Sequence, residues 1–215
     1  MLAKANGHTI DQTAVDMAMM RRCIALSATA IAHGEFPFAA LVCRGSEVVV
    51  EATNEVARSG DVTRHAEIIA ISEAQKALGR KDLGACTIYS NVEPCVMCSF
   101  PMRETSIGRV VFAIDSPMMG GFSKWSVLRD GDLSRAMPEA FGPAPEIVCG
   151  LLRREAEKVW WTWNPLIWAV IKQRGCFGTE APDDVSRHMP ALPGRRSLVR
   201  RLFQLRHQHH HYHSA

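Results

Sequence analysis

The sequence predicts an α/β protein: a mixed β-sheet covered by helices on both faces. An opening helical period is followed by two short Val-rich runs, and the later strand-like runs are separated by helical segments, which puts helices on both sides of one sheet. The chain has 215 residues, 47% hydrophobic and 22% charged. That suits a single compact core with a tail.

Thr9 and Gln12 read as a capping box, and Met17, Met20, Ile24, Ala28 and Ile31 recur at steps of three and four. A helix over residues 11–32 follows, closed by Gly34. Residues 38–43 and 47–53 are short apolar runs rich in Val, and Arg44-Gly45-Ser46 between them has hairpin chemistry. Residues 65–78 contain neither Gly nor Pro and stop at Gly79, predicting the second helix. Thr87-Ile88-Tyr89 marks a strand over 86–90, and Pro94 opens a helix over 95–104 that Pro101 should bend or break. Residues 109–113 form the next strand, and 115–125 a Gly-, Met- and Ser-containing loop. Residues 146–149 and 151–161 make a last strand and helix.

Charge divides the chain at Glu180. Residues 181–215 carry six Arg against two Asp, so the formal +3 of the whole chain leaves residues 1–180 slightly acidic. The domain assignment is therefore 1–180 for the main domain and 181–215 for a basic, His-rich, disordered tail with a short helical period at 197–206. The main domain has no overall charge suited to a polyanion. No apolar run approaches the roughly 20 residues of a bilayer span, and the N-terminal residues do not read as a secretory signal. Seven cysteines in such a chain predict reduced thiols and a cytoplasmic setting.

Two fragments carry chemistry. His65-Ala66-Glu67 opens one helix and Pro94-Cys95-Val96-Met97-Cys98 opens another. Cys95 and Cys98 are three apart, so their sulfurs share a helix face. Six of the nine histidines lie in the tail, leaving His8, His33 and His65 before it; His65, at the start of a helix, supplies the third ligand. Two thiolates and an imidazole suit a tetrahedral Zn²⁺ with a fourth position for water. Helix N-termini favour thiolate over thiol. Glu67 is too close in sequence to His65 to ligate alongside it, but it can exchange a proton with the water. A Cys-x-x-Cys alone is as readily redox-active or structural, and a His-x-Glu alone means little. In this order, with 26 residues between Glu67 and Pro94, they match the zinc-deaminase signature.

The likeness extends further. Gly34-Glu35-Phe36-Pro37-Phe38-Ala39-Ala40, Asn54, His65-Ala66-Glu67-Ile68, Glu93-Pro94-Cys95-Val96-Met97-Cys98 and Ile107-Gly108-Arg109-Val110-Val111-Phe112 resemble the cytidine deaminase-like superfamily. The resemblance covers residues 17–157 and is to the branch of tRNA adenosine deaminases, guanine deaminases and fungal cytosine deaminases. It implies a three-layer α/β/α sandwich around a five-stranded mixed sheet, one zinc per chain on His65, Cys95 and Cys98, and Glu67 as proton shuttle. The reaction it implies replaces an exocyclic amino group of a nucleobase or nucleoside with oxygen and releases ammonia. It further implies substrate contacts from Asn54, whose amide offers both donor and acceptor, and from the backbone N–H of Ala66. Pro94, Phe36 and Asp115 are further candidate substrate contacts, and a homodimer involving Phe100, Met102 and the Trp cluster is expected.

Departures bear on the substrate. The tRNA branch usually carries Asp-x-Lys-x-Gly-Ala where this chain has Asp115-Ser116-Pro117-Met118-Met119-Gly120-Gly121, so the Lys is missing. Arg64 stands where Ala is usual and reads equally as pocket rim or solvent face. Trp160, Trp161, Trp163 and Trp168 lie in an added segment that reads as a second packed helix or dimer contact. A sharper reading has residues 160–177 capping an active site, as C-terminal segments do in guanine deaminases. A small base or nucleoside is therefore the expected substrate. The alternative is a tRNA wobble adenosine, its phosphates held by the Arg-rich tail. A zinc-stabilised binding module is the third reading, and the intact Glu67 speaks against it.

Overall fold

The computed structural model describes residues 11–178. Thr9 of the expected capping box and the whole basic tail lie outside these residues. The elements are α1 (Gln12–Ala32), β1 (Ala39–Arg44), β2 (Glu47–Thr53), α2 (Val56–Ser59), α3 (Ala66–Leu78), β3 (Thr87–Val92), α4 (Val96–Glu104), β4 (Arg109–Ile114), α5 (Gly131–Ala136), β5 (Glu146–Val148), α6 (Arg153–Trp163) and α7 (Pro165–Gln173). The five strands form one sheet in the order β2-β1-β3-β4-β5. β1 runs antiparallel to β2 and β3, whereas β3, β4 and β5 are mutually parallel. The expected five-stranded mixed sheet is present.

Both faces are covered because the inner strands carry buried apolar residues on both sides. Ala40, Val42, Ile88, Val110 and Phe112 point into one core with Ala66, Ile69, Ala70 and Ala74 of α3 and Cys98 and Met102 of α4. Their sequence neighbours Leu41, Cys43, Tyr89, Val111 and Ala113 point into the other, with Met20, Cys23 and Ile24 of α1 and Ala156 and Trp160 of α6. The period-two alternation of the strands divides the molecule into these two cores.

Three local expectations are corrected. Asp11, not Thr9, caps α1, its carboxylate accepting from the Thr13 N–H at 3.0 Å. α4 continues through Pro101 to Glu104 unbroken. Proline there removes a single N–H bond in a short helix whose last turn is pinned by the buried Met102 and Arg103. The final helix starts at Arg153 and not at 151, because Leu152 takes a left-handed conformation with φ 57°. The Trp-rich segment supplies α7, capped by Asn164, whose side chain accepts from the Ile167 N–H at 3.0 Å, with Pro165 at its first position. α7 packs in cis: Trp168 and Phe177 are buried against Trp160.

A buried ion pair ties α1 to the sheet. Arg109 of β4 donates to both Asp16 oxygens at 2.6 and 2.7 Å, and the Tyr89 hydroxyl donates to the same carboxylate at 2.8 Å. Burial alone would raise the Asp16 pKa, but the hydrogen bonds from Arg109, Gln12 and Tyr89 hold it below the ordinary value.

Candidate active site

The strand directions gather the chemistry at one edge. β2, β3 and β4 all end there and β1 starts there, so Phe36 to Phe38, Asn54, Glu93 to Cys95 and Asp115 share the edge where α3 and α4 begin. This is the carboxyl end of the parallel strands, where open α/β sheets place their sites.

His65 and Cys95 occupy the N-cap positions of α3 and α4 and make no capping hydrogen bond with their side chains. Both side chains turn instead toward Cys98. His65 Nδ1 lies 3.6 Å from Cys95 Sγ and 3.4 Å from Cys98 Sγ, and the sulfurs are 3.5 Å apart. Tetrahedral zinc with bonds of about 2.3 Å to sulfur and about 2.05 Å to nitrogen needs edges of about 3.8 and 3.6 Å. The triangle thus already has nearly the size of one face of that tetrahedron, and its donors are those zinc prefers. These three residues could hold a metal ion. A hydrogen bond from Cys98 and then one from His65 hold the Cys95 thiol down at about 4. The Cys98 thiol is pushed up by sharing its proton with Cys95 and by burial. The hydrogen bond with Cys95 raises the His65 pKa against the opposing effect of burial.

Glu67, in the first turn of α3, is buried beside this triangle. Its Oε2 lies 3.6 Å from Cys98 Sγ, and its Oε1 accepts from the Ser90 hydroxyl at 3.2 Å. Burial pushes its carboxyl above the ordinary carboxylate range, with the Cys95 charge adding to the effect.

Asn54 follows β2 and is buried, with its amide nitrogen donating to Glu35 Oε2 at 2.8 Å. A carboxylate only accepts, so this bond fixes which end of the amide is which. The same Glu35 accepts from the backbone N–H groups of Ala57 and Arg58 at 3.1 and 2.8 Å, anchoring α2. Asn91 does comparable work for the Phe36–Phe38 stretch: it accepts from the Ala39 N–H and donates to the Pro37 carbonyl. Ala66 is the first residue of α3 and fully buried, and Pro94 is buried with its carbonyl accepting from the Gly121 N–H at 2.8 Å.

Glu93 organises the loop beyond β4. Its carboxylate accepts from the Ser116 N–H at 2.7 Å, the Phe122 N–H at 3.1 Å, the Ser123 N–H at 2.7 Å and the Ser123 hydroxyl at 2.8 Å. Gly120 is required beside it, since a Cβ there would overlap the carboxylate. The loop in turn holds the start of α4, through the Val96 N–H to the Met119 carbonyl and a bridge between Cys95 and Gly120.

The remaining expected contacts are engaged elsewhere. The Asp115 carboxylate pairs with Arg153 of α6 at 2.8 Å, so it is not a free acceptor; burial raises its pKa, with Arg153 opposing. Phe36 packs on Trp163 and Trp160, with ring centroids 5.0 and 6.3 Å apart, as part of the aromatic cluster of α6 and α7. Arg64 pairs with Glu55 at 2.7 Å rather than standing alone at a rim. The C-terminal segment reaches the same edge: Gly178 N–H donates to the Asp115 carbonyl, Ser116 Oγ to the Cys176 carbonyl, and Arg153 also to the Gly178 carbonyl.

Known proteins resemble the chain over the region that carries these residues. Residues 13–114 match the cytidine and deoxycytidylate deaminase zinc-binding region. The chain is 34% identical over 118 residues to the tRNA-specific adenosine deaminase of Aquifex aeolicus, covering 54% of this chain and 78% of that one. It is 36% identical over 80 residues to the guanine deaminase of Bacillus subtilis, covering 37% and 51%. The solved structure of NE0047 in complex with 2,6-diaminopurine superposes with a TM-score of 0.54 at 27% identity, covering 70% of this chain and 82% of that one.

Proposed function

The chain is a deaminase of the cytidine and deoxycytidylate deaminase family, and from that premise we propose that it binds one zinc ion and hydrolytically deaminates a free nucleobase or nucleoside. The observation that carries the chemistry is the triangle of His65, Cys95 and Cys98 with edges of 3.4 to 3.6 Å and Glu67 at its side. Zinc held there is a Lewis acid that makes water nucleophilic near neutral pH. Glu67 takes a proton from the attacking water and delivers it to the amino nitrogen as the C–N bond breaks, so that ring carbon gains oxygen and ammonia leaves. Asn54, held by Glu35, and the Ala66 N–H orient the ring, and the buried Pro94 forms part of the floor. Phe36 and Asp115 shape the walls through the aromatic cluster and the pair with Arg153.

The C-terminal segment supports the small substrate. Residues 176–178 are hydrogen-bonded to Asp115 and Ser116 at the site edge, within this chain, and α6 and α7 back the Phe36 side. A site so walled favours a free base or nucleoside over a polynucleotide. The tRNA reading is favoured by the likeness to the Aquifex enzyme. The test is ammonia release from cytosine, guanine, adenine, their nucleosides and an anticodon stem-loop, with the full chain and with residues 181–215 removed. Release from a base or nucleoside supports the proposal. Release from the stem-loop alone, falling steeply with salt, establishes the tRNA reading instead. No release, with Glu67→Ala as stable as wild type, leaves a binding module.

Of the residues expected at a dimer contact, Met102 is fully buried and Trp160 and Trp168 pack within the chain, which takes them out of that role. The exposed Phe100, with Val96, Met118 and Met119 around the start of α4, supports a homodimer through that face, testable by light scattering. Zinc-ligating thiolates support a reducing compartment, the cytoplasm. Among the described residues no helix is long and apolar enough to cross a membrane.

A further inference from the structure

We propose that Ser90 is the positioning residue of the proton shuttle. The inference rests on the reading of Glu67 given above and deepens it. Ser90 lies in β3 beside Ala40 of β1, and Ile88, two residues earlier, points into the core beneath α3 and α4. The strand alternation therefore turns Ser90 toward the face that carries Glu67. Its hydroxyl donates to Glu67 Oε1 at 3.2 Å, and both groups are buried.

The two oxygens of Glu67 have different neighbours. Oε1 faces Ser90 across the boundary between helix and sheet, and Oε2 faces Cys98 Sγ at 3.6 Å. Once both cysteines are thiolates on a metal, Cys98 has no proton to share, and Ser90 remains as the side-chain donor to the carboxylate. The bond then sets the rotamer: Oε1 is tethered to the sheet and Oε2 is aimed at the reacting atoms. A glutamate side chain has three rotatable bonds. Fixing it before reaction removes an orientational cost that otherwise falls on each turnover. A strand residue suits this role, because β3 is hydrogen-bonded to a strand on either side.

Three variants, Ser90→Ala, Ser90→Thr and Glu67→Gln, are compared with wild type on whichever compound of the panel above is deaminated fastest. Zinc content and crystal structures are determined alongside. Ser90→Ala is expected to keep about one zinc per chain and KM within about twofold, to lose at least about tenfold in kcat, and to show the Glu67 carboxylate in more than one rotamer. Ser90→Thr, which keeps the hydroxyl, is expected to recover most of the rate and the single rotamer. A Ser90→Ala enzyme with kcat within about twofold of wild type, or with Glu67 unmoved, overturns the inference while Glu67→Gln is inactive. If Glu67→Gln itself turns over normally, the shuttle reading fails first and the role of Ser90 falls with it.

Discussion

Replacing Glu93 by Gln changes one atom of a buried carboxylate and tests how the site is scaffolded. In the native loop four donors converge on two oxygens: the Ser116 N–H and Ser123 hydroxyl on Oε2, the Phe122 and Ser123 N–H groups on Oε1. A glutamine offers one acceptor and one NH₂. With its oxygen in the Oε1 place it keeps two backbone bonds, and the Ser123 hydroxyl can rotate to accept from the NH₂. The Ser116 N–H then faces another donor. The other orientation strands two backbone donors and costs more. The cheaper choice loses one charge-assisted bond, about 1.5–3 kcal/mol, and weakens the rest by removing the charge. The expected destabilisation is about 2–4 kcal/mol, or a fall in Tm of about 5–15 °C at this chain length. Thermal denaturation of zinc-loaded protein, with zinc content measured beside it, reads the effect. Because the loop also holds Cys95 and Val96, zinc retention is expected to fall in parallel. A Tm within about 1 °C of wild type with full zinc would refute the assignment of Glu93 as the anchor of this loop.

Other consequences can be checked separately. Cys98→Ser is expected to lose bound zinc and all ammonia release, by metal analysis and the same assay, because it removes one of three ligands. Trp160→Ala empties the centre of the aromatic cluster and should cost about 3–5 kcal/mol in chemical denaturation, since Trp160 is fully buried and meets Phe38 and Phe177 with ring centroids 4.9 and 5.0 Å away. Asp16→Asn should cost about 3–5 kcal/mol at neutral pH by leaving Arg109 without its buried partner. The wild-type contribution of Asp16 is present above the ordinary Asp value of about 3.9 and is lost as pH falls through its depressed folded value. The variant should therefore show a shallower acid limb in stability against pH.

The parts of the molecule that were legible in the sequence are those written locally. The helix of residues 12–32 and the hairpin follow from apolar periods and a Gly turn. The triangle of His65, Cys95 and Cys98 follows from a three-residue spacing and a His-x-Glu at two helix starts. Contacts between distant elements were not legible. Glu35 and Glu93 sit inside the motif stretches, yet nothing local says that one carboxylate orients Asn54 and the other holds residues 116–123. Ser90 gave no signal beyond being one of two adjacent polar residues, with Asn91, in a buried strand. Asp115 read as a substrate contact because its partner, Arg153, is 38 residues away. The Gly131–Ala136 helix escaped notice because it is held from outside: the buried Arg103 guanidinium donates to the carbonyls of Asp130 and Gly142 and to Ser134 Oγ. The Trp-rich segment read as a second packed helix or a dimer contact, because nothing local says that Trp168 and Phe177 pack on Trp160 of the same chain.

The fastening of Gly178 to Asp115 and Arg153 has a practical side for anyone handling the protein. Gly178 lies at the edge of the sheet that carries the triangle of His65, Cys95 and Cys98. A purification tag or reporter joined directly there would crowd the mouth of the site, whereas one joined ahead of Asp11 would enter through the first turn of a helix that covers the sheet's opposite face.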